Sequence, residues 1–324
     1  MTKKVKKKMA LWKKIILGVL IALLVALIAT WSTFSYYIGV LLAAHSSSVQ
    51  SLKSEVADKF TTGTYTDSET GLTINYNLYV TEDMTSDETV PMVVFIADSS
   101  SAGDYETTAP LYQGLGGMIW ASDSEQAKHK SAVLVPQYPE IILDDHDGYT
   151  MTDYVEATAR MIESVAGENQ VDTNRIYGTG QSMGAMTTMY LQATHPDLYA
   201  ATILVDGQWD ISTLSGLQDA TFTYFAAGGD TRAVTGQTEV KDMLSEAGIS
   251  YGELTDVDAQ ADSSELNTLA NDMYSDNYKQ NFITYTKGSV LPWYVPTGAE
   301  EHLLSFNYGY TIEAVRDWLF EQSK

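Results

Sequence analysis

The chain has 324 residues, 44% of them hydrophobic, with 19 basic against 42 acidic residues and a formal net charge of −23. That length can bury the core of one large α/β domain, and the acid excess excludes a nucleic-acid-binding surface, because phosphates are held by Lys and Arg. Cysteine is absent, which excludes disulfide staples, a thiol nucleophile and thiolate zinc sites.

Residues 1–14 form a basic tail with seven lysines, and residues 15–44 are apolar, most strongly from Ile15 to Thr30. The apolar length is near the ~20 residues that cross a bilayer, and Trp31, Tyr36 and Tyr37 suit an interfacial belt. The run predicts one transmembrane anchor, with the lysines cytoplasmic and the rest of the chain extracytoplasmic at the cell membrane. A cleaved signal peptide is the competing reading, but its apolar region usually spans only about 7–15 residues, and Leu42-Ala43-Ala44-His45 is a poor cleavage site. Beyond the tail, twelve basic residues face all 42 acidic ones, a net charge near −30 that repels nucleic acid and anionic surfaces. Residues 45–59 are polar and Ser-rich and predict a linker, either a stalk or a short helix.

The fold proper is expected over residues 60–324. Phe60 to Tyr65 and Leu72 to Val80 alternate like strands around a turn-rich segment, so they predict an antiparallel hairpin. The pattern then changes to short apolar runs at Pro91–Ala97, Ser131–Val135, Arg175–Thr179, Ala201–Val205 and Thr221–Ala226, the kind buried in parallel sheets. Helical patterns intervene at 153–165, 184–193 and 240–247, and another closes the chain at 311–322. The expected class is α/β, a mostly parallel doubly wound sheet with an antiparallel N-terminal hairpin. In such sheets ligands sit beyond the carboxyl ends of the strands, so a polar residue just after an apolar run is a site candidate. Residues 258–276, acidic and rich in Ser and Asn, predict either a lid or an exposed helix without a role.

Gly180-Gln181-Ser182-Met183-Gly184 lies between a strand-type and a helix-type run. Strand, sharp turn and helix with a serine at the apex is the nucleophile elbow of an α/β-hydrolase, in which the glycines let the backbone turn tightly. A serine hydroxyl needs a base to take its proton, and the base needs an acid to hold its tautomer. Of five histidines, His302 fits best, after the last apolar run (Phe282–Thr286) and before the final helix; His146, after a strand, is the reserve. His45, His129 and His195 lie beside the membrane, before a strand and at a helix end. For the acid, Asp230 ends Ala226-Ala227-Gly228-Gly229-Asp230, while Asp206 one run earlier and Asp210 are alternatives.

These residues resemble extracellular esterases of the polyhydroxybutyrate-depolymerase and feruloyl-esterase type, close to prolyl-oligopeptidase-like hydrolases. The blocks that carry the resemblance are Arg175 to Met186, His195 to Ala201, Gly207-Gln208-Trp209-Asp210, Glu301-His302, Tyr308-Gly309-Tyr310 and Val315 to Phe320. The resemblance runs from about Thr61 to the C-terminus and implies Ser182 as nucleophile, Asp230 as acid and His302 as base. One block departs from the family: where His-Gly is usual after the third strand, this chain has Ala97-Asp98-Ser99. That loop is expected to give one backbone N–H of an oxyanion hole, at Asp98 or Ser99, and Met183 the other. A carboxylate at Asp98 pointing inward would oppose the developing charge.

Gln181, Gln208 and Trp209 are expected near substrate. Asp144, Asp145 and Asp147 are hard oxygens that could hold Ca²⁺, but their spacing fits no known loop and a solvated acidic turn is the expectation. The expected chemistry needs no metal and no cofactor, and its substrate is a small or polymer-linked ester. A peptidase with the same triad and a non-catalytic surface binding module are the rival readings.

Overall fold

The computed structural model describes residues 3–81, 84–85, 88–296 and 300–324. The first two residues of the expected basic tail lie outside the described residues. A long helix α1 (Lys3–Ala44) is followed at once by α2 (Ser47–Val56), whose N-cap Ser46 accepts the Val49 N–H. The hairpin β1 (Thr61–Thr66) and β2 (Thr73–Tyr79) comes next, then β3 (Val90–Ile96), α3 (Asp123–Lys128) and β4 (Ala132–Gln137). A two-stranded ribbon, β5 (Leu143–Asp144) and β6 (Thr150–Met151), precedes α4 (Tyr154–Glu168). The second half alternates: β7 (Val171–Gln181), α5 (Met183–Thr194), β8 (Ala201–Val205), β9 (Phe222–Ala227), α6 (Thr231–Glu246), β10 (Gly252–Val257), α7 (Ser263–Tyr274) and β11 (Gln280–Tyr285). The chain closes with the short α8 (His302–Ser305) and with α9 (Glu313–Phe320).

Nine strands form one sheet in the order β1-β2-β4-β3-β7-β8-β9-β11-β10. Only the pairs β1–β2 and β2–β4 are antiparallel; all others in the sheet are parallel. Successive side chains of a strand point to opposite faces. On β3, Val93 and Phe95 join a core with α2, α7 and α9, while Met92, Val94 and Ile96 join a second core with α4, α5 and α6. Because both faces are covered, β3 and β4 are buried along their whole length, which is why they read as continuous apolar runs. Each fully buried Val, Ile or Phe contributes roughly 1.5–3 kcal/mol of burial, so the central strands anchor the fold.

Three expectations change. The expected linker is the short helix of its two alternatives rather than a stalk, but Val49, Leu52 and Val56 of α2 lie in the core, so the folded domain begins before residue 60. The stretch free to act as an anchor is also shorter than the expected 15–44, because from Ser35 onward α1 packs on the domain, with Ser35 and Gly39 buried and Tyr36, Val40 and Ala43 against the core. The acidic segment 258–276 is not a lid, since α7 buries Leu266, Ala270 and Met273 in the core shared with α9.

Candidate active site

β7 ends at Gln181, and Ser182 caps α5 with φ +52 and ψ −120, a conformation that costs a non-glycine residue about 1–3 kcal/mol. The turn is held because Ser182 N–H donates to Val205 O at 3.0 Å and Met186 N–H to Ser182 O at 2.9 Å. The flanking glycines are required by contact. A Cβ at Gly184 would stand 1.8 Å from Ile96 O, and one at Gly180 would stand 2.4 Å from the Gly184 carbonyl carbon.

The expected base and acid arrive from the ends of neighbouring elements. Asp230, after β9, caps α6, and its Oδ1 accepts the N–H groups of Arg232 and Ala233 at 3.1 Å each. Its other oxygen faces His302 Nδ1 at 2.5 Å, which places the proton on Nδ1 and leaves Nε2 to accept from Ser182 Oγ at 2.8 Å. Phe306 stands edge-on to the imidazole, with ring centroids 5.0 Å apart. Burial opposes the charge on Asp230, but the His302 hydrogen bond and positive charge outweigh it and hold the carboxyl below the usual range. Burial likewise opposes His302 protonation, and the Asp230, Asp206 and Asp98 carboxylates outweigh it, so the imidazole lies above its ordinary value.

Asp206, the alternative acid, sits one strand earlier at φ +46 and does not reach the imidazole. It accepts the Ala227 N–H at 2.7 Å and the Ser305 hydroxyl. Full burial, then repulsion from Asp230, pushes its carboxyl up to about 7. Asp210 caps a turn through Ser212.

Of the other histidines, His129 pairs with Asp317 and stacks on Phe320, His195 pairs with Glu156, and His45 bonds the Leu41 carbonyl. His146 stands at the mouth of the cavity, bonded to Asp144. The nearby acidic turn is tied up internally: Asp144 takes His146, and Asp145 takes Arg232 at 2.5 Å and Gln208 at 2.8 Å.

The triad opens into a cavity of about 260 Å³, with Ile141, Leu143, Met186 and Leu303 as its apolar wall and Asp98, Asp145, Gln208 and Arg232 among its polar residues. Gln208 lies on this wall; Gln181 and Trp209 do not. Gln181 is buried and spends its amide on Gln113 at 3.0 Å and Asp98 at 3.5 Å, while Trp209 packs in the core against Tyr149. Both were expected near substrate because they flank strand ends, but each side chain points into the protein.

Asp98 lines the cavity, but its polar groups are taken up by neighbouring residues. Its carboxylate caps the Ser100 N–H at 2.6 Å and takes the Gln181 amide, and its own N–H donates to Gln113 Oε1 at 3.0 Å. Among the described residues, the N–H groups of Ser99 and Met183 have no protein partner. Two supporting residues were given no role by the sequence. One is Gln113, from an irregular loop. The other is Glu301, fully buried beside His302, which accepts Gly229 N–H at 2.9 Å and Gly288 N–H at 2.7 Å and so pins the loops after β9 and β11.

Residues 137–252 match the prolyl oligopeptidase family. No curated protein matches the chain. Among solved structures, a thermostable esterase is similar at TM-score 0.66 and 25% identity, over 83% of this chain and 64% of that one. The dipeptidyl peptidase 4 of Porphyromonas gingivalis is similar at TM-score 0.51 and 11% identity, over 81% of this chain and 35% of that one. The chain thus spans less than two thirds of either structure. Its sheet order, its elbow and these similarities make it an α/β-hydrolase in fold, of the serine hydrolase type.

Proposed function

We propose that the protein is a carboxylesterase working through an acyl-enzyme, anchored in the cell membrane by α1 with its catalytic domain outside the cytoplasm. The observation that carries the reading is the unbroken chain of contacts from Ser182 Oγ to His302 to Asp230 at the carboxyl edge of the sheet. Ser182 Oγ attacks the ester carbonyl as its proton passes to His302 Nε2, and Asp230 holds the resulting imidazolium. The tetrahedral oxygen is held by the N–H groups of Met183 and Ser99, each positioned donor being worth about 10²–10³ in rate. The C–O bond then breaks, His302 returns the proton to the leaving alcohol, and water repeats the sequence on the acyl group to release the acid.

The exposed apolar residues of α1 up to Phe34, among them Leu20, Leu27 and Trp31, support the anchor, and the lysine tail supports its direction. Protease added to intact cells then digests the domain, and protection until lysis contradicts the topology. The similarity to the prolyl oligopeptidase family over residues 137–252 favours a second reading, peptide hydrolysis by the same triad. A panel of p-nitrophenyl acyl esters, acetylated and feruloylated sugars and aminoacyl anilides decides between them. The esterase reading expects the esters to be turned over far faster than the anilides, and the reverse order overturns it.

A further inference from the structure

The last turns of the N-terminal helix pack beside α8, the short helix that carries His302. A Cβ on Gly39 would lie 3.0 Å from Val295 Cγ2 and 3.7 Å from the Leu304 side chain, two residues past His302. Leu303, on the same short helix α8, lines the cavity and is 39% exposed. Trp293, two residues before Val295, is 95% exposed, the most of any large apolar side chain among the described residues. A tryptophan left in the open beside an apolar helix fits the headgroup region, where an amphipathic ring is stabilised.

The geometry sets a distance. Nine residues separate Thr30, the end of the strongly apolar run, from Gly39, and a helix rises 1.5 Å per residue, so the contact with α8 lies at most ~14 Å beyond the hydrocarbon. The headgroup layer on each side of a bilayer takes up roughly 5–8 Å of that. With α1 in the membrane, α8 and the cavity wall it carries at Leu303 lie close to the membrane surface. Its walls carry Asp98, Asp144, Asp145 and Glu300, and its Arg232 is committed to Asp145, so an anionic group is disfavoured there.

We propose that the substrate is an amphiphilic acyl ester with an uncharged polar part, drawn from the leaflet that holds α1, with Trp293 seated among the headgroups and Leu303 at the entry side. This rests on the esterase and anchor readings above. The test places the full chain in phosphatidylcholine vesicles, with p-nitrophenyl palmitate either in the same vesicles or in separate protein-free ones, and p-nitrophenyl acetate in solution as the control. Palmitate cleavage is expected to be at least tenfold faster in the same vesicles, and Trp293→Gln to lower it severalfold while acetate turnover stays unchanged. Monopalmitoylglycerol is expected to be cleaved faster than its anionic phosphoglycerol counterpart, lysophosphatidylglycerol. Equal palmitate rates in the two arrangements, with acetate turned over normally, overturn the inference alone. Loss of acetate turnover overturns the esterase reading, and release of the chain by alkaline carbonate overturns the anchor; the inference falls with either.

Discussion

Ser305 donates its hydroxyl to Asp206, so the carboxylate one strand before Asp230 is tied to the helix that carries His302 without touching the imidazole. The two acids therefore divide the work. On the proposed reading Asp230 fixes the tautomer of His302, whereas Asp206 fastens α8 to the sheet. Asp230→Asn is expected to lower kcat by about 10⁴, the effect of presenting the wrong tautomer. Asp206→Asn keeps the hydrogen-bonding shape, and Asn tolerates the positive φ found there, so its loss should stay within about tenfold. Measuring kcat on both folded variants checks the division, and a larger loss at Asp206 reverses it.

The protonation of His302 sets the pH profile. The base must be neutral, and neighbouring carboxylates raise the imidazole above 6.5, so kcat/KM for a neutral ester should climb with pH above 6.5, over a range broadened by the coupled titration of Asp206, and then level off. Removing a negative neighbour disfavours the imidazolium and lowers that value. Asp206→Asn should therefore move the midpoint toward lower pH. A midpoint that stays in place or moves up contradicts the assignment of the base.

Glu301 couples the two loops that bring acid and base together. Its carboxylate accepts one N–H from each, and a glutamine can offer only one acceptor oxygen while its amide faces the other N–H. Glu301→Gln is expected to cost about 1–3 kcal/mol of stability for the unpaired donor. Displacement of the triad by about 1 Å can cost up to about 10² in rate, so kcat should fall with KM little changed. Thermal unfolding and steady-state kinetics on the same sample separate the two effects.

Helix α1 is shared between the proposed anchor and the domain, which decides where the chain can be cut. Removing residues 1–33 takes away only the exposed part of α1 and should give a soluble, active domain. Removing residues 1–45 also uncovers Val295 and Leu304 beside the base. That longer cut should lower kcat severalfold or cause aggregation. Equal activity and solubility of the two fragments would show that the contact at Gly39 has no influence on the site.

The sheet was legible because its central strands are buried on both faces, so β3, β4, β8 and β9 stand out as apolar runs. The edge strand β10 was missed, since Glu253, Thr255 and Asp256 face outward and break any apolar signal. The first half of α6 was missed too, because Thr231, Arg232 and Thr235 give its opening turns no apolar stripe. Ser182, Asp230 and His302 could be picked out by their places after strands, which the sheet's chemistry dictates. Gln181 and Trp209 occupy similar places yet point inward, a choice made by Gln113 and Tyr149 from distant loops. The docking of α1 was likewise invisible, because Ser35 to Ala44 reads as a continuation of the span until Val295 and Leu304 are seen against Gly39.

The central claim is that Ser182 is a nucleophile activated by His302, and labelling with a fluorophosphonate probe tests it most directly. Only an activated serine reacts readily, so the wild-type chain should be labelled on Ser182 alone, and both Ser182→Ala and His302→Ala should lose the label while remaining folded. Ester hydrolysis by Ser182→Ala should fall at least ~10³-fold. Labelling at a different residue, or substantial hydrolysis left in Ser182→Ala, would contradict the account.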